Sequence, residues 1–277
     1  MKFSGRTRKL IYICLLCFFI LLFLVSAVLI AQYMINSHEA GSTYDDLSNQ
    51  KEQILATLTT PTAPSEPTPP PTDPSTGETI PTEQGMLPEY QPFYEQNSDI
   101  VGWLNVPGTK VNYPVVRSPE SNPDFYLYRR FDKLWSDWGA VYCRPETDVD
   151  TPSDNVVLYG HHMLDGSMFT GLDPYRKQDF WQEHQTLTFD TLYEHHTYKI
   201  WAAFKTSANE DEGFMYHRFL NAADEEEFNQ FVSTIKGLQY YDTGITPQFG
   251  DKLLLLSTCE YSLSNGRFIV CAVRVDE

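Results

Sequence analysis

The chain reads as a mainly β domain closed, or nearly closed, into a barrel and carried behind a membrane-type segment. Three observations predict this. Eight short β-prone runs lie at irregular spacing in the C-terminal two thirds. One amphipathic helix interrupts them. Two of the apolar runs stop abruptly on chemically active side chains.

The runs are 101–106, 111–116, 139–143, 155–160, 186–189, 198–204, 252–258 and 267–275, each rich in Val, Ile, Leu, Tyr, Phe or Thr. Between the sixth and seventh, Phe228, Phe231, Val232 and Ile235 follow the i, i+3, i+4, i+7 spacing of a helix face. Asn221 or Asp224 can cap its start, Glu225, Glu226 and Glu227 suit its positive N-terminal end, and Gly237 is expected just past its last turn. A shorter helix is expected over 89–97. Residues 88–277 thus form one domain, large enough for a sizeable core.

The N-terminus has a different solvent. Residues 10–35 are almost unbroken apolar sequence. At a rise of about 1.5 Å per residue this exceeds the ~30 Å hydrocarbon core of a bilayer. Lys2, Arg6, Arg8 and Lys9 precede it, and no acidic residue occurs before Glu39. The positive-inside rule therefore keeps residues 1–9 cytoplasmic and exports the rest. A cleaved signal peptide is the alternative, with Val25-Ser26-Ala27 as a weak cleavage site, but its apolar core is usually only ~7–15 residues. An uncleaved single-pass anchor in the cell membrane is the favoured reading. Residues 36–87 follow as a tether. Pro61, Pro64, Pro67, Pro69, Pro70, Pro71, Pro74 and Pro81 stand among Thr, Ser and Glu, a composition that favours an extended spacer over a packed fold. Within it, 44–58 can form a fraying helix.

Net charge is −17, and the first 35 residues contribute +4, leaving −21 on the exported part. A surface this acidic excludes nucleic acid as a partner and argues against adhesion of the domain to anionic lipid. Solubility is the simpler meaning of the charge. Cys14 and Cys17 of the five cysteines lie in the apolar span. The three exported ones, Cys143, Cys259 and Cys271, make no tidy disulfide framework. A Cys143–Cys271 bridge stays open, but both lie in β-prone runs and read as small core residues.

Chemistry concentrates at two run ends. Leu253-Leu254-Leu255-Leu256-Ser257-Thr258 ends on Cys259, a polar loop with Asn265-Gly266 follows, and the next run begins on Arg267. If the two runs pair antiparallel, Cys259 and Arg267 share one sheet edge. A thiol beside a guanidinium is a candidate nucleophile with an anion-stabilising partner; a core cysteine and a surface arginine are the plainer alternative. Asn155 to Gly160 is an apolar run that ends on His161-His162, and an imidazole can take a thiol proton. Strand alternation lets only one of these two rings reach the thiol. His38, His184, His195, His196 and His217 lie in polar contexts, and no ligand spacing around His195-His196 completes a metal site.

Leu256-Ser257-Thr258-Cys259 with Asn265-Gly266-Arg267 resembles the active-site signature of sortases, the cysteine transpeptidases of Gram-positive cell surfaces, and Gly160-His161 resembles their histidine motif. The segments Ile100-Val101-Gly102-Trp103-Leu104, Val106-Pro107-Gly108-Thr109, Tyr113-Pro114-Val115-Val116, Asp165-Gly166-Ser167-Met168-Phe169 and Tyr241-Asp242-Thr243-Gly244 are similar, in order, to class B members. The resemblance covers about residues 88–277. It implies a closed eight-stranded β-barrel with a helix inserted before the cysteine strand and a short N-terminal helix.

It also implies a two-step acyl transfer. Cys259 attacks a carbonyl in the C-terminal sorting signal of an exported protein, and the C-terminal fragment leaves. An amine of the cell wall or of another surface protein, such as a peptidoglycan precursor or a pilin lysine, then takes the acyl group. His161 is the general acid and base, ahead of His162, and Arg267 holds the carbonyl and the oxyanion. Glu260 offers a backbone N–H as second donor, and Ser257 and Thr258 shape the floor. No cofactor or metal is required, since one amide replaces another. Where some class B members carry an acidic residue two places after the cysteine, this chain has Tyr261, so an orienting acid is not expected there. An extracellular cysteine peptidase would use the same residues with water in place of the amine, and a non-catalytic binding domain on the same barrel is the remaining alternative. Pro74-Ser75-Thr76-Gly77 resembles the core of a sorting signal but has no apolar tail or basic end; coincidence in a Pro/Thr/Ser-rich stretch is the favoured reading, and a tethered weak competitor for the active-site groove is the alternative.

Overall fold

The computed structural model describes residues 5–59 and 85–275. The chain divides into two compact units, Met1–Thr43 and Tyr44–Glu277. Helix α1, Gly5–Thr59, begins in the first unit. Its apolar stretch leaves large side chains such as Leu16, Phe19, Phe23 and Ile30 more than half exposed, and it is long and apolar enough to cross a membrane. This is compatible with a membrane anchor.

The second unit is a closed mixed barrel of eight strands, matching the expected fold. They are β1 Ile100–Asn105, β2 Asn112–Arg117, β3 Val141–Cys143, β4 Asn155–Tyr159, β5 Thr186–Thr191, β6 Thr197–Ser207, β7 Leu253–Glu260 and β8 Gly266–Arg274. Their spatial order is β1-β2-β3-β4-β7-β8-β6-β5, with β5 closing on β1. Each expected run is one strand, displaced by a few residues at its ends. β2/β3 and β4/β7 pair parallel, whereas β7/β8 pair antiparallel. Closure removes sheet edges, which would otherwise expose unpaired backbone groups.

The unbroken apolar run in β7 has a direct cause: both of its faces are covered. Helix α4, Glu225–Leu238, lies on the outside, where Phe228, Phe231, Val232 and Ile235 pack with Leu253, Leu255, Ile269, Cys271 and Val273. By strand alternation Leu254, Leu256, Val270 and Ala272 turn to the other face, the barrel interior, and all are fully buried. Cys143 and Cys271 are likewise buried and free. Burial pushes the Cys143 thiol up to about 11 and raises that of Cys271 as well, so both behave as the expected core residues.

Three expectations need correction. The extended tether does not begin at residue 36. Tyr44 to Thr59 are helical and belong to the barrel unit, because one stripe of α1 finds partners there. The Tyr44 hydroxyl donates to the Gly139 carbonyl at 2.5 Å, Leu47 is buried, Ser48 Oγ donates to the Asn112 carbonyl at 2.9 Å, and Lys51 lies 4.8 Å over the Trp103 ring. The proline-rich remainder, 60–84, including the Pro74–Gly77 string, lies outside the described residues. Gly237 does not follow α4 but sits in its last turn, where a side chain would meet nothing within 4 Å. Glycine there costs only its entropy. Finally, a 3-10 helix, Phe169–Arg176, and helix α3, Gln178–Glu183, follow the histidine loop, where no helix was expected. The short N-terminal helix does form, as α2, Gln91–Gln96.

Asp224 is the N-cap of α4, accepting the Glu227 N–H at 3.0 Å. Since α4 walls the outer core, Asp224→Ala should lower unfolding free energy by about 1 kcal/mol in urea titration, while the neighbouring Glu226→Ala should change it little. Equal effects would remove the capping role.

Candidate active site

The register of three strands assembles the site. β4 runs parallel to β7 with Tyr159 opposite Ser257, and the Gly160 N–H extends the ladder to the Ser257 carbonyl at 3.1 Å. Two residues beyond each partner stand His161 and Cys259. On the other side of β7 the antiparallel register puts Cys259 directly opposite Arg267. The β7–β8 turn that sets this register needs unusual backbone. Asn265 has φ +47°, and a Cβ at Gly266 would collide with the Glu260 carbonyl oxygen. Gly160 is required for a different reason: a Cβ there would strike the Phe169 ring at 2.7 Å. The ring presses on the backbone directly before His161.

His161, Ser257, Thr258, Cys259 and Arg267 line one cleft of about 160 Å³, together with Asp124, Leu127, Tyr142, Arg144 and Tyr159. Larger surface depressions lie beside α4, lined by residues such as Glu225, Glu226 and Phe231, and hold no nucleophile. Cys259 is partly exposed, in contrast to Cys143 and Cys271. The His161 ring is mostly enclosed, and burial holds its pKa below the ordinary histidine value, with the Leu127 carbonyl and Asp137 opposing. A mostly neutral imidazole near pH 7 follows. Its Nε2 lies 2.6 Å from the Leu127 carbonyl. A carbonyl only accepts, so Nε2 carries the hydrogen and Nδ1 the basic lone pair of the neutral ring.

Of the remaining sequence candidates, Ser257 and Thr258 are buried in the cleft floor. Ser257 Oγ shares a 2.6 Å hydrogen bond with the Tyr216 hydroxyl, and Thr258 Oγ1 has no partner. The Glu260 side chain does not line the cleft; it accepts from the backbone N–H and hydroxyl of Ser262, each at 2.9 Å. Tyr261 is largely exposed, its hydroxyl donating to the His162 carbonyl at 3.2 Å. His162 is turned away from the cleft and pairs with Asp173 at 2.7 Å, as alternation required.

Several cleft residues escaped the sequence reading. Asp124 holds Arg144 through both carboxylate oxygens, at 2.8 and 3.1 Å, and accepts from Tyr142 at 3.1 Å. Arg144 also faces the Tyr159 ring at 5.4 Å. A backbone carbonyl, that of Leu127, occupies the place of an orienting acid. These residues come from a 3-10 helix and its start, from β3 and from the residue after it, and no local pattern marks them; only the charge of Arg144 directly after the third β run was a signal.

The exposure difference makes a testable statement. Because a reactive thiol needs access and a basic neighbour, iodoacetamide should label Cys259 at least about tenfold faster than Cys143 or Cys271 in the native protein. Mass spectrometry showing equal labelling of the three would contradict it.

The Sortase domain family matches residues 104–275. Sortase B of Staphylococcus aureus is 29% identical over 192 residues, which cover 69% of this chain and 76% of that protein. Sortase B of Listeria monocytogenes is 25% identical over 184 residues, 66% of this chain and 72% of that one. Among solved structures, S. aureus sortase B in complex with substrate superposes with a TM-score of 0.71 at 23% identity, over 87% of this chain and 99% of that one. A further structure of the S. aureus enzyme gives 0.68 at 25% identity, over 85% and 98%. The matched region holds the whole cleft, and the chain therefore belongs to the sortase family, in its class B branch, as a sortase-type cysteine transpeptidase.

Proposed function

We propose that this protein, anchored in the cell membrane with its barrel outside, cleaves the sorting signal of exported proteins and joins the acyl fragment to an amine of the cell wall or of another surface protein. The observation that carries the reading is the single cleft shared by Cys259, His161 and Arg267, each supplied by the edge of a different one of three neighbouring strands. Related solved structures include sortase B with substrate and sortase B with triglycine, which supports a peptide donor and an amine acceptor for this chain as well.

The chemistry follows from the groups present. His161 takes the Cys259 proton and the sulfur attacks the scissile carbonyl. Negative charge develops on the carbonyl oxygen, where the Arg267 guanidinium and the Glu260 backbone N–H stabilise it. As the C–N bond breaks, His161 returns the proton to the departing amine, leaving a thioester on Cys259. The acceptor amine loses its proton to His161 as it attacks, and the thiol is regenerated. The mostly neutral state of His161 near pH 7 suits it to the role of base. Tyr216 shares a hydrogen bond with Ser257 two residues before the nucleophile, which ties the end of β7 to the 3-10 turn Tyr216–Arg218. The apolar part of α1 supplies anchorage rather than catalytic groups.

Two outcomes are expected. Cys259→Ala and His161→Ala should each lower transfer of a sorting-signal peptide to an amine by at least about 10³-fold, and Arg267→Lys by about 10²-fold, since lysine lacks the planar fork. Product mass spectrometry distinguishes amide from free acid; amine-independent formation of free acid alone would favour a peptidase. Removing residues 1–35 should leave peptide turnover in solution unchanged but abolish attachment of membrane-held clients in cells, because the anchor acts through local concentration. Normal attachment by the secreted fragment would refute the anchoring role.

A further inference from the structure

Alternation places the three proposed catalytic residues on one face of the sheet edge. Their immediate successors, His162, Glu260 and Phe268, therefore turn to the opposite face, and one pair of side chains meets all three. Asp173 and Arg176 lie in the 3-10 helix Phe169–Arg176. Asp173 Oδ2 accepts from His162 Nε2 at 2.7 Å, and Asp173 Oδ1 accepts from Arg176 Nε at 3.1 Å. Arg176 Nη1 stands 3.8 Å from Glu260 Oε1, and its guanidinium carbon lies 4.2 Å over the Phe268 ring. Nη1 also donates to the Tyr240 hydroxyl at 3.2 Å, and the Tyr240 ring stacks on Phe268. The pair bridges buried and open ground: Phe268 is fully buried, the Glu260 side chain is 9% exposed and His162 Nδ1 is buried without a partner, while the side chains of Asp173 and Arg176 are 36% and 31% exposed.

We propose that Asp173 and Arg176 are positioning residues that lock the ends of β4, β7 and β8 together from behind the cleft, holding His161, Cys259 and Arg267 in register for the transfer. This rests on the acyl-transfer reading and adds to it the part that fixes the geometry. Charge-assisted hydrogen bonds are stronger than neutral ones, and the guanidinium fork adds direction to them. Asp173 alone binds only the histidine strand; Arg176 extends that hold to the cysteine and arginine strands through the carboxylate of Glu260 and the face of Phe268. Glu260 passes the constraint into the β7–β8 turn by accepting both bonds from Ser262. The planar guanidinium reaches four partners, Asp173, Glu260, Tyr240 and the Phe268 ring, in an arrangement that an ammonium cannot reproduce.

The test uses the full chain in detergent micelles with iodoacetamide as the probe, following Cys259 by mass spectrometry from pH 5 to 9. Arg176→Met keeps a flexible apolar stem over Phe268 but removes the fork; Asp173→Asn keeps size and shape. Each should slow Cys259 alkylation at pH 7 about tenfold, in the range of contact-coupled residues, and move the midpoint of the pH profile upward. The double variant should be no slower than either single one, since both break the same linkage. Unchanged rates and midpoints in variants that melt within a few degrees of the parent would overturn the proposal, as would losses that multiply in the double variant. If Arg176→Met does not fold, the isosteric Asp173→Asn decides alone. Should Cys259 of the parent chain react no faster than Cys143, the acyl-transfer reading itself fails, and the positioning role with it.

Discussion

Everything at the cleft depends on the parallel pairing of β4 with β7. Parallel neighbours end at the same edge of a sheet, so two apolar strands that each terminate on a reactive residue deliver them side by side without any special loop. The antiparallel return through Asn265-Gly266 then brings Arg267 back to the same edge, opposite Cys259. The strands can end there because their interiors are fixed so firmly: Leu253–Leu256 are buried on both faces, between α4 and the barrel interior. A one-residue slip of β7 would carry a flanking polar residue, Lys252 or Ser257, into a position that a buried leucine now fills, at the cost of its desolvation. Stability and the geometry of the cleft thus have one origin.

Enclosure shapes the electrostatics of the same edge. The His161 ring loses water and takes a backbone carbonyl as its hydrogen-bond partner, and its pKa falls although Asp137 opposes the shift. A carbonyl partner orients the ring but favours the charged form less than an acid would. The protein thereby keeps an imidazole that is fixed in place and still able to accept a proton. Carboxylates are nearby, but each is committed elsewhere: Asp124 to Arg144, Asp173 to His162 and Arg176, Glu260 to Ser262.

Much of this was legible in the residues. Apolar runs bounded by polar loops mark strands whatever their partners, and the spacing of Phe228, Phe231, Val232 and Ile235 marks a helix because its face is continuous. The positions of His161, Cys259 and Arg267 at run ends were equally visible. What was hidden depended on distant partners. Tyr44, Leu47 and Lys51 are too few to stand out in a polar stretch, and their helix is secured by distant residues such as Gly139, Trp103 and Asn112. Arg176 reads as an ordinary surface arginine until the 3-10 helix turns it toward Phe268. Asp124 and Arg144 are twenty positions apart and meet because the 3-10 helix that follows Asp124, Phe125–Tyr128, packs against β3. Gly237 misled for a local reason: a glycine near a helix end is usually past it, but an exposed last turn tolerates it.

The two-residue rhythm of the strands also limits how this enzyme can vary in length. Successive side chains of β7 alternate between the cleft and the interior, so adding or removing one residue between Leu256 and Cys259 would exchange their places. The thiol would face away from the cleft, and the place beside Arg267 would fall to Glu260 after a deletion or to Thr258 after an insertion. A change of two residues restores the alternation but advances Cys259 past Arg267 by a full ladder step. Evolution of new specificity on this scaffold is therefore confined to the loops between strands, such as the stretch from Ala208 to Asp224, where insertions leave the phase of the barrel untouched.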